Sequence, residues 1–224
     1  MSAAGGPGGA GGAGGRPRLV VGISGSSAPH YGIALLSALR DLGTVESHVV
    51  CSRGARRTIE LEAQADVEAV LELADVVHEP EEMAAPISSG SFATLGMVVV
   101  PCSMKTLAAI ATGLSTDLVA RAADVTLKER RRLVLVTRET PLSLIHLRNM
   151  AAASEAGATI LPPVPAFYHR PATIDDLIAQ TVGKVLDQFG IAHALFERWA
   201  GPAPAVGAGA VGSGPVGAGP AGAG

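Results

Sequence analysis

Four short apolar runs constrain this chain more than any other feature. Arg18–Ile23 (RLVVGI), Val45–Cys51 (VESHVVC), Leu95–Val100 (LGMVVV) and Leu133–Thr137 (LVLVT) are rich in β-branched residues. A segment of helical period or a Gly/Ser/Pro turn separates each from the next. Near-continuous apolar runs suit strands buried on both faces, and strands alternating with helices imply an α/β fold, a parallel sheet with helices on both faces. Val76–His78 and Thr159–Leu161 are read as short further strands.

The helices follow from spacing. Leu35, Leu36, Leu39 and Leu42 recur on one face, and Ala55–Ala65, Val67–Ala74, Thr106–Ala111 and Thr116–Ala122 are read as helical. Pro141 fits a first helical position after Thr140, with Gly157 as the stop. Thr173 with Asp176 makes a capping-box start for the stripe Ile174, Leu177, Ile178, Val182, Val185, Leu186 and Phe189. Pro101 is expected to end the third apolar run, and Met83–Phe92 is read as a polar loop.

Of 28 glycines in 224 residues, 17 lie in residues 1–15 and 201–224, which carry no charged side chain. Such segments cannot bury enough surface to offset ordering entropy. The chain is therefore divided into a tail over residues 1–16, one domain over 17–200 and a second tail over 201–224, both tails read as disordered. A net charge of −3 and 3% aromatic residues argue against a nucleic-acid partner. No apolar run reaches the roughly 18 residues of a membrane span, and the N-terminus lacks the basic start and apolar stretch of a signal peptide. Two cysteines, Cys51 and Cys102, make no disulfide framework, which points to a reducing compartment and a cytoplasmic location.

Ligands of such sheets bind outside the carboxyl ends of the strands. Four segments fall there. Gly22–Gly32 (GISGSSAPHYG) is either an anion or cofactor turn or a plain tight turn. Pro101–Thr106 (PCSMKT) is either a second anion-friendly turn or an ordinary N-cap. Arg138–Glu139 is either a site pair or a surface ion pair. Pro162–Pro171 (PPVPAFYHRP) is a rigid connector that presents Phe167, Tyr168, His169 and Arg170. Cys102 reads as a buried filler, Lys128–Arg132 (KERRR) as a solvated face, and Glu60 and Glu62, though near the site edge by topology, as helix-surface acids. No His, Cys, Asp or Glu cluster has metal-ligand spacing.

Taken together, these segments carry a resemblance. The turn Gly25–Gly32 with Ser27 and Tyr31, Ser52 followed by Glu62, the stretch Val100–Met150 (VPCSMKTLAAIATGLSTDLVARAADVTLKERRRLVLVTRETPLSLIHLRNM) and PAFYHRP resemble the UbiX-type flavin prenyltransferases, formerly called phenylacrylic acid or 3-octaprenyl-4-hydroxybenzoate decarboxylases. The likeness runs from about Arg18 to Trp199 and implies a doubly wound parallel sheet, a flavodoxin-like or Rossmann-like three-layer sandwich. It implies an enzyme that joins a dimethylallyl group from dimethylallyl phosphate to N5 of reduced FMN, closes a fourth ring at C6, uses no metal, and passes prenylated FMN to a UbiD-type decarboxylase. It further implies homododecamers built from trimers, with active sites at subunit contacts.

By position, the resemblance assigns Gly25, Ser26, Ser27, Ser52, Ser103, Met104, Lys105, Thr106 and Arg138 to FMN. Tyr168 and Lys184 go to the prenyl phosphate, with Arg121, Lys128 and Arg138 completing a cationic pocket. Ser27, Glu62 and Glu139 go to the chemical steps. The family's usual first turn reads GASGA, whereas Gly25–Pro29 here is GSSAP, so that Ala28 replaces a glycine. Two alternatives are a cysteine-type flavin-dependent decarboxylase, for which His30 is the available catalytic His, and a non-catalytic FMN-binding partner of a decarboxylase. The first is disfavoured by Pro29, the second by Glu62, Glu139, Tyr168 and Lys184 occurring together.

Overall fold

The computed structural model describes residues 15–199 and 201. The disordered tails expected from composition lie almost wholly outside these residues. Six parallel strands, β1 (Arg18–Ile23), β2 (Glu46–Cys51), β3 (Val76–His78), β4 (Gly96–Cys102), β5 (Arg132–Thr137) and β6 (Ala158–Ile160), form one sheet in the order β3-β2-β1-β4-β5-β6. That order reverses direction between β1 and β4, so the crevice between their carboxyl ends is where a ligand is expected.

Among the described residues seven α-helices cover the sheet: α1 (His30–Leu42), α2 (Arg53–Thr58), α3 (Val67–Leu71), α4 (Met104–Thr112), α5 (Leu118–Lys128), α6 (Leu144–Glu155) and α7 (Ile174–Gln188). Alternate strand residues feed two cores. Leu19, Val21, Ile23, Val98 and Val134 pack under α1 and α7, while Val20, Met97, Val99, Leu133 and Leu135 pack under α4 and α5. This two-sided burial is why the strands read as continuous apolar runs.

Several local expectations change. Pro101 does not end β4, which runs on to Cys102 through a cis Val100–Pro101 peptide. The β4–β5 register shifts between Val99 and Cys102, and a proline, which has no N–H to give the ladder, is tolerated at such an irregularity. Pro141 is not a first helical residue: the Thr140–Pro141 peptide is cis, and α6 starts at Leu144 behind a Ser143–His146 capping box. The segment read as one helix over Ala55–Ala65 is α2 followed by a wider π-helical turn, Ile59–Ala63, ended by Gln64 at φ +49°. Helix α5 starts later than expected, because Asp117 caps it, and extends to Lys128, the first residue of KERRR. The Thr173–Asp176 capping box of α7 forms as the sequence predicts.

Candidate active site

The carboxyl ends of β1, β2, β4 and β5 open into a cleft of about 580 Å³, within the usual range for small-molecule sites. Its floor is backbone. Gly25 and Gly54, from the turns after β1 and β2, touch so closely that a Cβ on Gly25 would meet Gly54 backbone at 2.9 Å. Ser52 caps α2 by accepting the Ala55 N–H at 3.2 Å. Ser103 caps α4, accepting the Thr106 N–H at 3.3 Å and donating to Thr106 Oγ1 at 3.1 Å. The N–H groups of Met104 and Lys105, the first two residues of α4, have no acceptor among the described residues. They belong to cleft-lining residues and are free to meet anionic or carbonyl oxygens of a ligand.

Glu62 reaches this edge from the π-helical turn. Its Oε2 accepts the Ala28 N–H at 2.8 Å and the Ser27 hydroxyl at 2.9 Å. The Ala28 bond first, then the Ser27 bond and the nearby Arg138 and His30 charges, hold the Glu62 carboxyl below the usual carboxylate range. Glu62 is thus an anchored carboxylate. Ala28 sits at φ +67°, the left-handed region where glycine is the unstrained residue. Ser26 Oγ donates to the Arg138 carbonyl at 3.0 Å, joining the first turn to the end of β5. Glu139 lines the cleft and its carboxylate accepts the Thr140 N–H at 3.0 Å.

Of the residues assigned by resemblance, Gly25, Ser52, Ser103, Met104, Lys105, Thr106 and Glu139 line the cleft. Ser26, Ser27, Glu62 and Arg138 stand beside it through the bonds above. Four others are not brought there by the chain's own fold. Arg121 is turned to the Ser88 carbonyl and to Asp124, at 3.3 and 2.7 Å. Lys128 ends α5 in an ion pair with Glu129; since the start of α5 lines the cleft, Lys128 lies about 15 Å further along the helix axis. Lys184 is half-exposed on α7, 3.7 Å from Asp187. Tyr168 packs edge-on against Trp199 with ring centres 6.2 Å apart.

The solvated-face reading of KERRR holds for Lys128 and Glu129 but not for Arg131, which donates to the carbonyls of Phe92 and Gly90 at 2.8 and 2.6 Å and braces that loop. Cys102 is fully buried, and burial pushes its thiol up to about 12, as for a filler and not a nucleophile. His30 lines a separate groove between α1 and α7 with Ile33, Asp175 and Ile178 and is not among the residues that line the cleft. Among the described residues no group of three or more His, Cys, Asp or Glu is placed to hold a metal ion.

Sequence reasoning missed Gly54, Arg53, Glu81 and Asp117. Arg53 and Glu81 meet in a 2.6 Å ion pair on the cleft wall, and Asp117 lines the cleft as the cap of α5. The one available signal was the Ser-Arg-Gly directly after β2, which repeats the Ser/Gly chemistry of the first turn.

The sequence model of the family described as Flavoprotein matches residues 12–186. Flavin prenyltransferase UbiX of Escherichia coli (strain K12) is 57% identical over 186 residues, which span 82% of this chain and 98% of that protein. The chain belongs to the UbiX flavin prenyltransferase family. A probable UbiX-like flavin prenyltransferase of Streptomyces sp. (strain D7) is likewise 57% identical, over 82% of this chain and 92% of that one. Among solved structures, UbiX (PadA1) in complex with FMN and dimethylallyl pyrophosphate superposes with TM-score 0.82 at 56% identity, covering 84% of this chain and all of that one. A dodecameric FMN-dependent UbiX-like decarboxylase from Escherichia coli O157:H7 gives 0.80 at 54% identity, covering 82% of this chain and all of that one. An FMN-dependent cysteine decarboxylase of thioviridamide biosynthesis, at 16% identity, shares the UbiX fold alone.

Proposed function

We propose that this flavin prenyltransferase binds reduced FMN in the cleft between β1 and β4. It joins a dimethylallyl group from dimethylallyl phosphate to N5, closes a ring at C6, and releases prenylated FMN for a UbiD-type decarboxylase. The residues fit the flavin. The glycine-lined floor admits a flat ligand close to backbone, and the open N–H groups of Met104 and Lys105 offer donors to it. Bound flavin supplies the nucleophilic N5 and C6.

The observation that carries the reading is the anchored Glu62. It is an ionised carboxylate tied to Ser27 and Ala28 beside Arg138, a charged group that can take part in the transfer as well as hold the turn. Glu62, held as the anion, serves as proton acceptor or as a counter-charge to the allyl cation that forms as phosphate leaves. Glu139, on the cleft wall, is the second proton-handling group. Arg138 stabilises charge on the leaving phosphate. Ser27 keeps Glu62 in place.

One arginine is a thin complement for a phosphate leaving group. Tyr168, Lys184, Arg121 and Lys128 complete the pocket when supplied by neighbouring copies. Leu142, Leu144, Ile145 and Leu147 form an apolar face at the start of α6, 42 to 68% exposed, which fits burial in a homododecamer. Cys51 and Cys102 are both free and buried, in keeping with a reducing, cytoplasmic setting. The domain is the stretch 17–200, with the two Gly-rich tails outside it. The test is anaerobic turnover of reduced FMN with dimethylallyl phosphate, read as a flavin heavier by one C5 unit.

A further inference from the structure

Four strand ends form the cleft, and a buried serine outside its lining ties two of them together. Ser24 is 1% exposed, immediately before Gly25 at the point where the strand order reverses. Its hydroxyl donates to the Pro101 carbonyl at 3.0 Å and accepts the Ser103 N–H at 2.8 Å. Its own N–H also donates to the Pro101 carbonyl, at 3.2 Å. Ser103 caps α4, so this hydroxyl fixes where that helix begins relative to the first turn. It also engages the Ser103 N–H, so that the open donors at this end are those of Met104 and Lys105. The tie continues: Ser26 N–H donates to the Ser24 carbonyl at 2.8 Å, Ser26 Oγ to the Arg138 carbonyl, and Arg138 N–H to the Cys102 carbonyl at 3.2 Å.

We propose that Ser24 is a positioning residue of the flavin site, its hydroxyl setting the spacing between the β1 turn and the start of α4. The proposal rests on the FMN reading above. Without the hydroxyl, the Ser103 N–H loses its partner, and the first turn of α4 must shift to find another. A shift of that kind moves the Met104 and Lys105 donors away from the flavin while leaving the sheet intact.

Ser47 supplies a matched control. It is also 1% exposed, and its hydroxyl likewise makes two bonds, donating to Asp75 Oδ2 and accepting the Asp75 N–H, both at 3.0 Å. It lies on β2 near the amino edge of the sheet, away from the cleft. The experiment titrates FMN into apo-protein by fluorescence quenching and records the apo melting temperature for wild type, Ser24→Ala, Ser24→Thr and Ser47→Ala. Ser24→Ala should weaken FMN binding about tenfold or more, the scale of a small misplacement at a site. Ser47→Ala, with a comparable loss of melting temperature, should stay within about twofold of wild type, as expected of a distant position. Ser24→Thr keeps the hydroxyl and should recover the affinity.

If Ser24→Ala does not fold, Ser24→Cys, close in size and a weak donor, takes its place with the same expectation. Wild-type affinity in Ser24→Ala, or equal losses in Ser24→Ala and Ser47→Ala, overturns the positioning role. So does a Ser24→Thr protein that melts like wild type yet binds as poorly as Ser24→Ala. Failure of the wild-type protein to bind FMN instead overturns the flavin reading on which the proposal rests.

Discussion

The carboxylate of Glu62 accepts the backbone N–H of Ala28 at 2.8 Å across 34 positions of sequence. That bond does two things at once. It holds Glu62 as an anion at the edge of the cleft, and it holds Ala28 in a left-handed conformation, φ +67°, that a Cβ disfavours. The first turn is thereby kept in place by a carboxylate where glycine would do so without strain.

Ala28→Gly therefore relieves strain. It should raise unfolding free energy by up to about 1 kcal/mol, measured by urea denaturation, with FMN affinity unchanged. A destabilised Ala28→Gly protein would show that the Ala28 methyl packs usefully.

Glu62→Gln separates charge from shape. FMN should still bind, and prenylation should slow by about 10²–10⁴-fold, the scale of general acid–base catalysis. Stability adds a signed test. The folded-state pKa of Glu62 lies below its ordinary value of 4.5. Its contribution is then fully present above that value and is lost as pH falls through the folded-state pKa. The stability gap between wild type and Glu62→Gln should be constant from neutral pH down to the ordinary value and close in more acidic solution. A gap that widens with acid would contradict the anchoring.

The glycine pair predicts an asymmetry. A Cβ on Gly25 meets Gly54 backbone at 2.9 Å, whereas one on Gly54 meets the Gly25 Cα at 3.3 Å. Gly25→Ala must move backbone and should weaken FMN binding by about tenfold or more. Gly54→Ala needs only a few tenths of an ångström and should cost less. Isothermal titration of both variants checks the order.

Shared sites predict complementation. Ile145→Glu, on the apolar start of α6, should lower the mass seen by light scattering. Mixing inactive Glu139→Gln and Lys128→Ala proteins after mild dissociation should restore measurable activity, because some sites then combine an intact Glu139 with an intact Lys128. No recovery at all, with mixed oligomers confirmed by mass, would contradict the supply of Lys128 by a neighbouring copy.

The sheet was legible in the sequence because both of its faces are buried: Val98 and Val99 pack on opposite sides and neither can be polar. The site was legible where chemistry sits in a local turn, as at Ser103–Thr106. Pro101 and Pro141 misled because each was read as helix or strand punctuation, whereas both sit in cis peptides within or after strands. Ser24 carried no signal, and Gly54 only that of its Ser-Arg-Gly setting, because their importance lies in contacts with other turns, at Pro101 and Ser103 and at Gly25. Lys184, Arg121 and Lys128 were assigned to the phosphate by resemblance alone, and Tyr168 was otherwise legible only as part of the Pro-rich connector at the sheet edge, since no local pattern in one chain ties them to the cleft.

The most direct test is anaerobic incubation of the wild-type chain with reduced FMN, dimethylallyl phosphate and EDTA, followed by mass spectrometry of the released flavin, with Glu139→Gln and Tyr168→Phe alongside. The account predicts a flavin heavier by one C5 unit from wild type. It predicts FMN binding with about 10²–10⁴-fold slower formation from Glu139→Gln, and weakened use of dimethylallyl phosphate with intact FMN affinity from Tyr168→Phe. Wild-type protein that binds FMN and forms no C5 adduct would contradict the transferase reading and leave a flavin-binding protein. Activity lost to EDTA and restored by magnesium would contradict the metal-free chemistry.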